Sequence, residues 1–219
     1  MINTFKKQKT ILVHGPSGSG KDTQVDLLIE KFGFEKIGTG EMFREIMKED
    51  KELEKIITLG KFIPSELTYK FLTEWVKNYD SQKPWIFVSV VRIADQIELF
   101  DVLLKEYGRE LDAFIHFSLS EEKAIERMSL RKVCSLCGEN YHEKYKPEKE
   151  IGLCDKDGGR LVRRDDDKPE AIQKRLSEYN KSIKPILQEY GSRGLLINID
   201  ASFTIEEIHK NVLKKLGLL

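Results

Sequence analysis

Cysteine is scarce in this 219-residue chain, with three residues in all: Cys134, Cys137 and Cys154. An odd number crowded into one stretch excludes a disulfide-stapled secreted scaffold and points to metal instead. Charge of either sign is not in excess, since Lys+Arg and Asp+Glu both number 37. A neutral balance gives no general attraction to nucleic acid or to an anionic membrane, so any anion site must be local. No apolar run approaches the roughly 18 residues of a membrane span. The N-terminal lysines precede no apolar stretch long enough for a secretion signal, so a cytoplasmic protein is expected. Repeats and low-complexity tracts are missing too, which excludes solenoids and long linkers. What remains is a chain long enough to bury a substantial core, as one domain with inserted subdomains or as two small domains.

The most informative stretch that is present is ILVHGPSGSGKDTQ, residues 11–24. Apolar Ile11-Leu12-Val13 leads into Gly15-Pro16-Ser17-Gly18-Ser19-Gly20-Lys21, and helix-compatible residues run on from Asp22 to Phe32. Strand, glycine loop and helix form the arrangement in which backbone N–H groups and a helix N-terminus hold nucleotide phosphates, with Lys21 reaching the β/γ-phosphates. Gly15, Ser17, Gly18, Ser19, Gly20, Lys21, Asp22 and Thr23 are therefore candidate nucleotide-binding residues. Asp22 stands where the general pattern has Ser or Thr, and the hydroxyl arrives one residue later at Thr23.

Apolar, β-rich runs recur at Ile11–Val13, Trp85–Val91, Ala113–Leu119 and Leu195–Ile199, with a weaker one at Phe34–Ile37. Helix-period segments lie between them: Gly20–Phe32, Glu66–Asn78, Ala94–Tyr107, Glu121–Lys132, Pro169–Tyr190 and Ile205–Lys215. Strands apolar on both faces and alternating with helices predict a parallel sheet covered on both sides. The ligand of such a sheet sits beyond the C-terminal ends of its strands, where the glycine loop already lies.

Two stretches break the alternation. Thr39–Leu67 reads as helical without a strand of its own, hence as an inserted helical subdomain. Lys132–Asp167 is charged, holds all three cysteines and has no core-sized apolar pattern, so burial alone cannot hold it together. Cys134-Ser-Leu-Cys137 and Cys154-Asp-Lys-Asp157 supply two ligand pairs with knuckle spacing. Together they predict a closed, structural Zn²⁺ site in which a carboxylate is the fourth ligand. His142 is an alternative fourth ligand outside that spacing, and Asp157 is favoured over it. Basic residues in this insert are interleaved with acids, so nucleic-acid binding by a zinc ribbon is disfavoured.

This order of segments resembles the adenylate kinase family of nucleoside monophosphate kinases over nearly the whole chain. GPSGSGKDTQ is similar to the family's phosphate loop, IGTGEMFR (37–44) and GKFIPSEL (60–67) to its acceptor segments, and residues 126–167 to its zinc-bearing lid. KRLSEYNKSIKPIL, from Lys174, is similar to the helix after the lid. The resemblance implies an α/β P-loop NTPase fold, a five-stranded parallel sheet flanked by helices, with a helical monophosphate-binding insert and a zinc-stapled lid. The segments it implies are a core at 1–37 with the phosphate loop, the insert at 38–67, core at 68–129, the lid at 130–167 and core at 168–219.

The implied activity is reversible, Mg²⁺-dependent phosphoryl transfer from ATP to a nucleoside monophosphate, AMP first. The charge balance and the lack of long apolar runs leave neither nucleic acid nor membrane as an expected partner. A monomer is the default in the absence of a clear oligomerisation surface. Transferring a phosphoryl group is mostly positioning and electrostatic clamping, which favours several fixed guanidiniums. Motif matching names Arg44, Arg92, Arg127, Arg131, Arg164 and Arg175, with Lys21, as these cations. Arg127 and Arg131, four apart, are expected on one helical face. The resemblance also implies acceptor contacts at Thr39, Ile63, Ser89 and Gln96, and donor contacts at Tyr141 and Ala201.

The chain departs from the family where a DGFPR segment is expected and Val88-Ser89-Val90-Val91-Arg92 stands instead. Val88 replaces the aspartate that anchors the Mg²⁺ hydration shell. Ser65 likewise replaces the usual Asp of the acceptor segment. A weakly active or silent nucleotide binder, a kinase for another monophosphate such as UMP or CMP, and compensation by the extra carboxylate of Asp22 are the readings this leaves. Asp22 as mere helix first-turn punctuation is the competing account. Asp165, Asp166 and Asp167 are read as a structural run before Pro169, with Arg164 functional.

Overall fold

The computed structural model describes residues 9–51, 53, 63–163 and 167–219. Among them are eight strands and seven helices. The strands are β1 (Thr10–His14), β2 (Glu35–Gly38), β3 (Trp85–Val88), β4 (Ala113–Ser118), β5 (Arg131–Cys134), β6 (Asn140–His142), β7 (Leu161–Val162) and β8 (Leu196–Asp200). The helices are α1 (Lys21–Phe32), α2 (Thr39–Glu49), α3 (Ser65–Val76), α4 (Gln96–Glu106), α5 (Glu121–Ser129), α6 (Pro169–Ser192) and α7 (Ile205–Lys215).

Five strands form one parallel sheet in the order β2-β3-β1-β4-β8. Alternate residues of each strand face opposite layers. Ile11, Val13, Ile86 and Ile115 pack with Val25 and Leu28 of α1 and with Ile208 and Val212 of α7. Leu12, Phe87 and Phe114 pack with Leu72 of α3, Phe100 of α4 and Ile183, Ile186 and Tyr190 of α6. Both faces are thus covered, which is why the strand sequences read as continuous apolar runs. The second sheet, β6-β5-β7, is antiparallel and belongs to the cysteine-bearing insert.

Two expected boundaries move. The third core strand ends at Val88 rather than Val91, because Ser89 takes φ +54 and turns the chain out of the sheet. The helix expected over Glu121–Lys132 ends at Ser129, and the chain enters β5 at Arg131 to pair with β6 and β7. Arg127 and Arg131 therefore do not share a helical face; one lies on α5 and the other on the lid sheet. The helical reading of Thr39–Leu67 holds at α2 and at the start of α3, while residues 52 and 54–62 lie outside the described residues.

Candidate active site

The glycine loop follows β1, the central strand, at its C-terminal end and delivers the chain into α1. Gly18 (φ +82) and Gly20 (φ +76) lie in the left-handed region that other residues adopt only with strain. Gly15 is demanded by space, since a Cβ there would fall 2.9 Å from the Phe117 carbonyl oxygen and 2.9 Å from Ser19 Oγ. Gly20 caps α1 without any side-chain hydrogen bond. The first-turn amides and the positive end of the helix dipole are therefore open to an anion. In front of them is a cavity of about 210 Å³, walled by the loop, by Arg127, Arg131 and Arg175, and by Phe203, Ile205 and Ile208.

Cations converge on this cavity. Burial lowers the pKa of Lys21, and nearby Arg131, Arg175 and Arg92 lower it further against the opposing pull of Asp22. Crowded positive charge that depresses its own members is a site that gains by binding a polyanion. Arg175 Nη2 donates to Ser17 Oγ at 2.8 Å, and Arg127 Nη1 reaches the Gly18 carbonyl at 3.4 Å. Arg131 grips Asp167 bidentately, Nε to Oδ2 at 2.8 Å and Nη2 to Oδ1 at 2.6 Å, and Arg175 approaches the same carboxylate at 3.7 Å. Asp167, read from sequence as part of a structural acidic run, is a nearly buried counter-ion to two of the expected arginines. Arg164 lies outside the described residues, as do Asp165 and Asp166.

Two pairs of the residues expected at the acceptor, Thr39 with Ser89 and Arg92 with Gln96, meet beyond β2 and β3. Buried Thr39 donates its hydroxyl to the Ser89 carbonyl at 3.2 Å, and the Ser89 N–H returns to the Val13 carbonyl at 2.9 Å. Gln96 is buried and its Oε1 accepts the Arg92 N–H at 2.7 Å, leaving its amide N–H₂ for a ligand. Arg44 is exposed on α2 and Ile63 is half-buried just before α3. On the donor side Tyr141 lines the cavity, but its hydroxyl is held inside the lid between the Asp155 N–H and Cys154. Ala201 is fully buried and does not line the cavity, whereas Phe203, two residues on, does.

Val88 is nearly buried at the end of β3, with its Cβ 3.8 Å from where a Gly38 side chain would begin. Asp22 is the only carboxylate among the described residues lining the donor cavity. Burial would raise its pKa, but Lys21 (4.0 Å) and Lys36 (3.5 Å) overcome this and hold it below the usual carboxylate range. Lys36 is in turn shared with Asp26 at 3.0 Å. A carboxylate kept ionised beside the phosphate loop fits a hydrated Mg²⁺ that accompanies a nucleotide.

The lid gathers Cys134, Cys137, Cys154 and Asp157 so that one ligand atom from each lies within 4.8 Å of the others. Backbone N–H groups of Leu136 and Lys156 donate to the sulfurs of Cys134 and Cys154 at 3.3 and 3.4 Å, the outer contacts expected of thiolate knuckles. Gly138 (φ +73) and Gly158 (φ +71) make the knuckle turns. A Cβ on Gly159 would sit 2.6 Å from Cys134 Sγ, so this position must be bare for the four donors to meet. Three thiols and a carboxylate with no further donor fit a closed tetrahedral Zn²⁺. His142 is directed elsewhere, its Nδ1 accepting the N–H groups of Lys144 and Tyr145 at 3.1 and 3.3 Å.

Sequence reasoning missed the ring cluster behind the loop. His14 is buried, takes the Gly15 N–H on Nδ1 at 2.9 Å, and has its pKa pushed down to about 3 by burial and by Lys21 and Arg92. The clue was a histidine closing an otherwise apolar strand.

A phosphate loop at the tip of the central strand, guanidiniums converging on its cavity and a four-donor lid define a P-loop phosphotransferase. A family model described as Adenylate kinase matches residues 13–195, most of the chain. Adenylate kinases of Staphylococcus epidermidis (strain RP62A) and Staphylococcus aureus (strain Mu50) are each 37% identical over 207 residues, covering 93% of this chain and 96% of the relative. The chain belongs to the adenylate kinase family.

Proposed function

We propose that the chain transfers the γ-phosphoryl group of ATP reversibly to AMP, giving two ADP. The observation that carries this is the set of cations around one small cavity, Lys21 with Arg127, Arg131 and Arg175, and with Arg92 near enough to act on Lys21. Lys21 and the loop amides hold the donor phosphates. Arg127 and Arg131, with Arg164, clamp the transferred group, while Arg44, Arg92 and Arg175 hold the acceptor or bridge both substrates. Thr39, Ile63, Ser89 and Gln96 line the acceptor base and ribose. An acceptor phosphate is already an anionic nucleophile, so no general base is required. Mg²⁺ bound with ATP neutralises phosphate charge, and Asp22 is the side chain that would hold its hydration shell. Zinc in the Cys134, Cys137, Cys154 and Asp157 set staples the lid and takes no part in the chemistry.

Residues 38–67 act as the acceptor-binding insert and 130–167 as the lid, and exclusion of water between them protects ATP from hydrolysis. The protein works as a monomer on small-molecule nucleotides. No described helix is long and apolar enough to cross a membrane.

A coupled assay with ATP and a panel of AMP, UMP and CMP, with and without Mg²⁺, tests the reading. ADP formation that is fastest with AMP and Mg²⁺-dependent is expected, and preference for UMP or CMP refutes the acceptor assignment. Lys21→Met should cost about 10²-fold or more in turnover, the scale of losing one preorganised charge contact; normal turnover would contradict the whole scheme.

A further inference from the structure

His14, His116 and Asn198 occupy the same level of three neighbouring strands, paired His14↔His116 and His116↔Asn198 across β1, β4 and β8. They form a polar row directly after the apolar row Leu12, Phe114 and Leu196 on the same face. Helix α6 crosses this face along one stripe: Tyr190, Ile186 and Ile183 on the apolar rows, then Tyr179, then Arg175. Tyr179 meets the polar row. Its hydroxyl is 2.8 Å from His116 Nε2, and His116 Nδ1 is 3.0 Å from Asn198 Oδ1. An amide oxygen can only accept, so His116 carries its proton on Nδ1 and its Nε2 accepts from the tyrosine hydroxyl. The phenol ring also meets the His14 ring at a tilt, centroids 5.4 Å apart.

Apolar contacts between a helix and a sheet are non-directional and allow small slides and rotations at little cost. His116 is the buried link between half-buried Tyr179 and exposed Asn198, so a slide of α6 that withdraws the tyrosine hydroxyl leaves a buried ring nitrogen without its partner. One turn beyond that fixed point Arg175 places its guanidinium on Ser17 of the phosphate loop at 2.8 Å. We propose that the Tyr179–His116–Asn198 chain is a positioning device that sets the register of α6 and so the place of Arg175 at the phosphates. Tyr179 is a positioning residue of the reaction, acting through Arg175; this rests on the assignment of Arg175 to the phosphoryl-transfer site.

The test is a double-mutant cycle of wild type, Tyr179→Phe, Arg175→Ala and the pair, read as kcat and KM in the ATP plus AMP assay. Tyr179→Phe keeps the ring and removes one hydroxyl. In the wild-type background it should lower kcat by about 5- to 50-fold with KM for either nucleotide changed less than about twofold, the range set by sub-ångström misplacement of a catalytic group. In the Arg175→Ala background the same change should lower kcat by less than about twofold, since the group being positioned is gone. An equal loss in both backgrounds, or no loss in the wild type, overturns the proposal. Full activity of Arg175→Ala alone overturns instead the assignment of Arg175 on which it stands.

Discussion

Acid should weaken this fold through one identifiable group, His14. The imidazole is buried at the end of β1 with a pKa near 3, because burial and the neighbouring Lys21 and Arg92 disfavour its charged form. In the unfolded chain it titrates at its ordinary value near 6.5. A base with a depressed folded pKa is neutral in the native state while the unfolded state takes up a proton. Its contribution is therefore fully present above about pH 6.5 and is lost as pH falls toward 3. The linkage relation gives a loss of about 2 kcal/mol by pH 5 and about 3 kcal/mol by pH 4. Protonation also strips the Gly15 N–H of its acceptor, so the phosphate loop feels the same event. The perturbation is His14→Asn, whose Oδ1 replaces Nδ1 as acceptor but which does not titrate. Thermal unfolding from pH 8 to pH 4 should show the variant losing less stability than wild type, by about 4–8 °C in midpoint at pH 5 for a protein of this size. Zinc ligands, the other histidines and the acidic groups are common to both proteins and cancel in the comparison. Parallel pH curves for the two would refute the reasoning.

Other tests bear on the metals. The purified protein should hold one zinc per chain by elemental analysis, and Cys137→Ser should lose it and speed amide exchange across residues 131–162; full zinc content in that variant would remove Cys137 from the donor set. Asp22→Asn should raise the Mg²⁺ concentration needed for half-maximal activity and weaken Mn²⁺ binding in the presence of ATP, measured by calorimetry. An unchanged Mn²⁺ affinity would return Asp22 to a purely electrostatic role beside Lys21 and Lys36.

What was legible in the sequence was whatever depends on neighbours along the chain. The glycine loop could be read because Gly18 and Gly20 need special backbone and Lys21 follows at a fixed offset. The donor set of the lid was legible because knuckle spacing places two ligands per turn, and Asp157 rather than His142 stands with the thiols. Five parallel strands followed from runs apolar on both faces. The strand end at Val88 was not legible, because a single serine with φ +54 decides it against a continuing apolar run. Arg131 was misplaced on a helix since its local pattern is helical, whereas pairing with His142 across the lid sheet puts it on a strand. Asp167 read only as part of a structural run because nothing local distinguishes it from its acidic neighbours, and its partner is 36 residues away. The row of His14, His116 and Asn198 exists only once three distant strands are in register.

The grip of Arg131 on Asp167 also shapes how the chain can fold. It joins the two ends of a 36-residue excursion, whose closure as a free loop would cost about 3 kcal/mol of chain entropy. The excursion is thus closed at its neck by an ion pair and at its tip by four metal-type donors. Strands β4 and β8, on either side of it in sequence, pair directly and need only its ends in place. Capture of zinc and assembly of the five-stranded sheet should then be separable events, so that a chelator loosens residues 131–162 in amide exchange before the sheet unfolds.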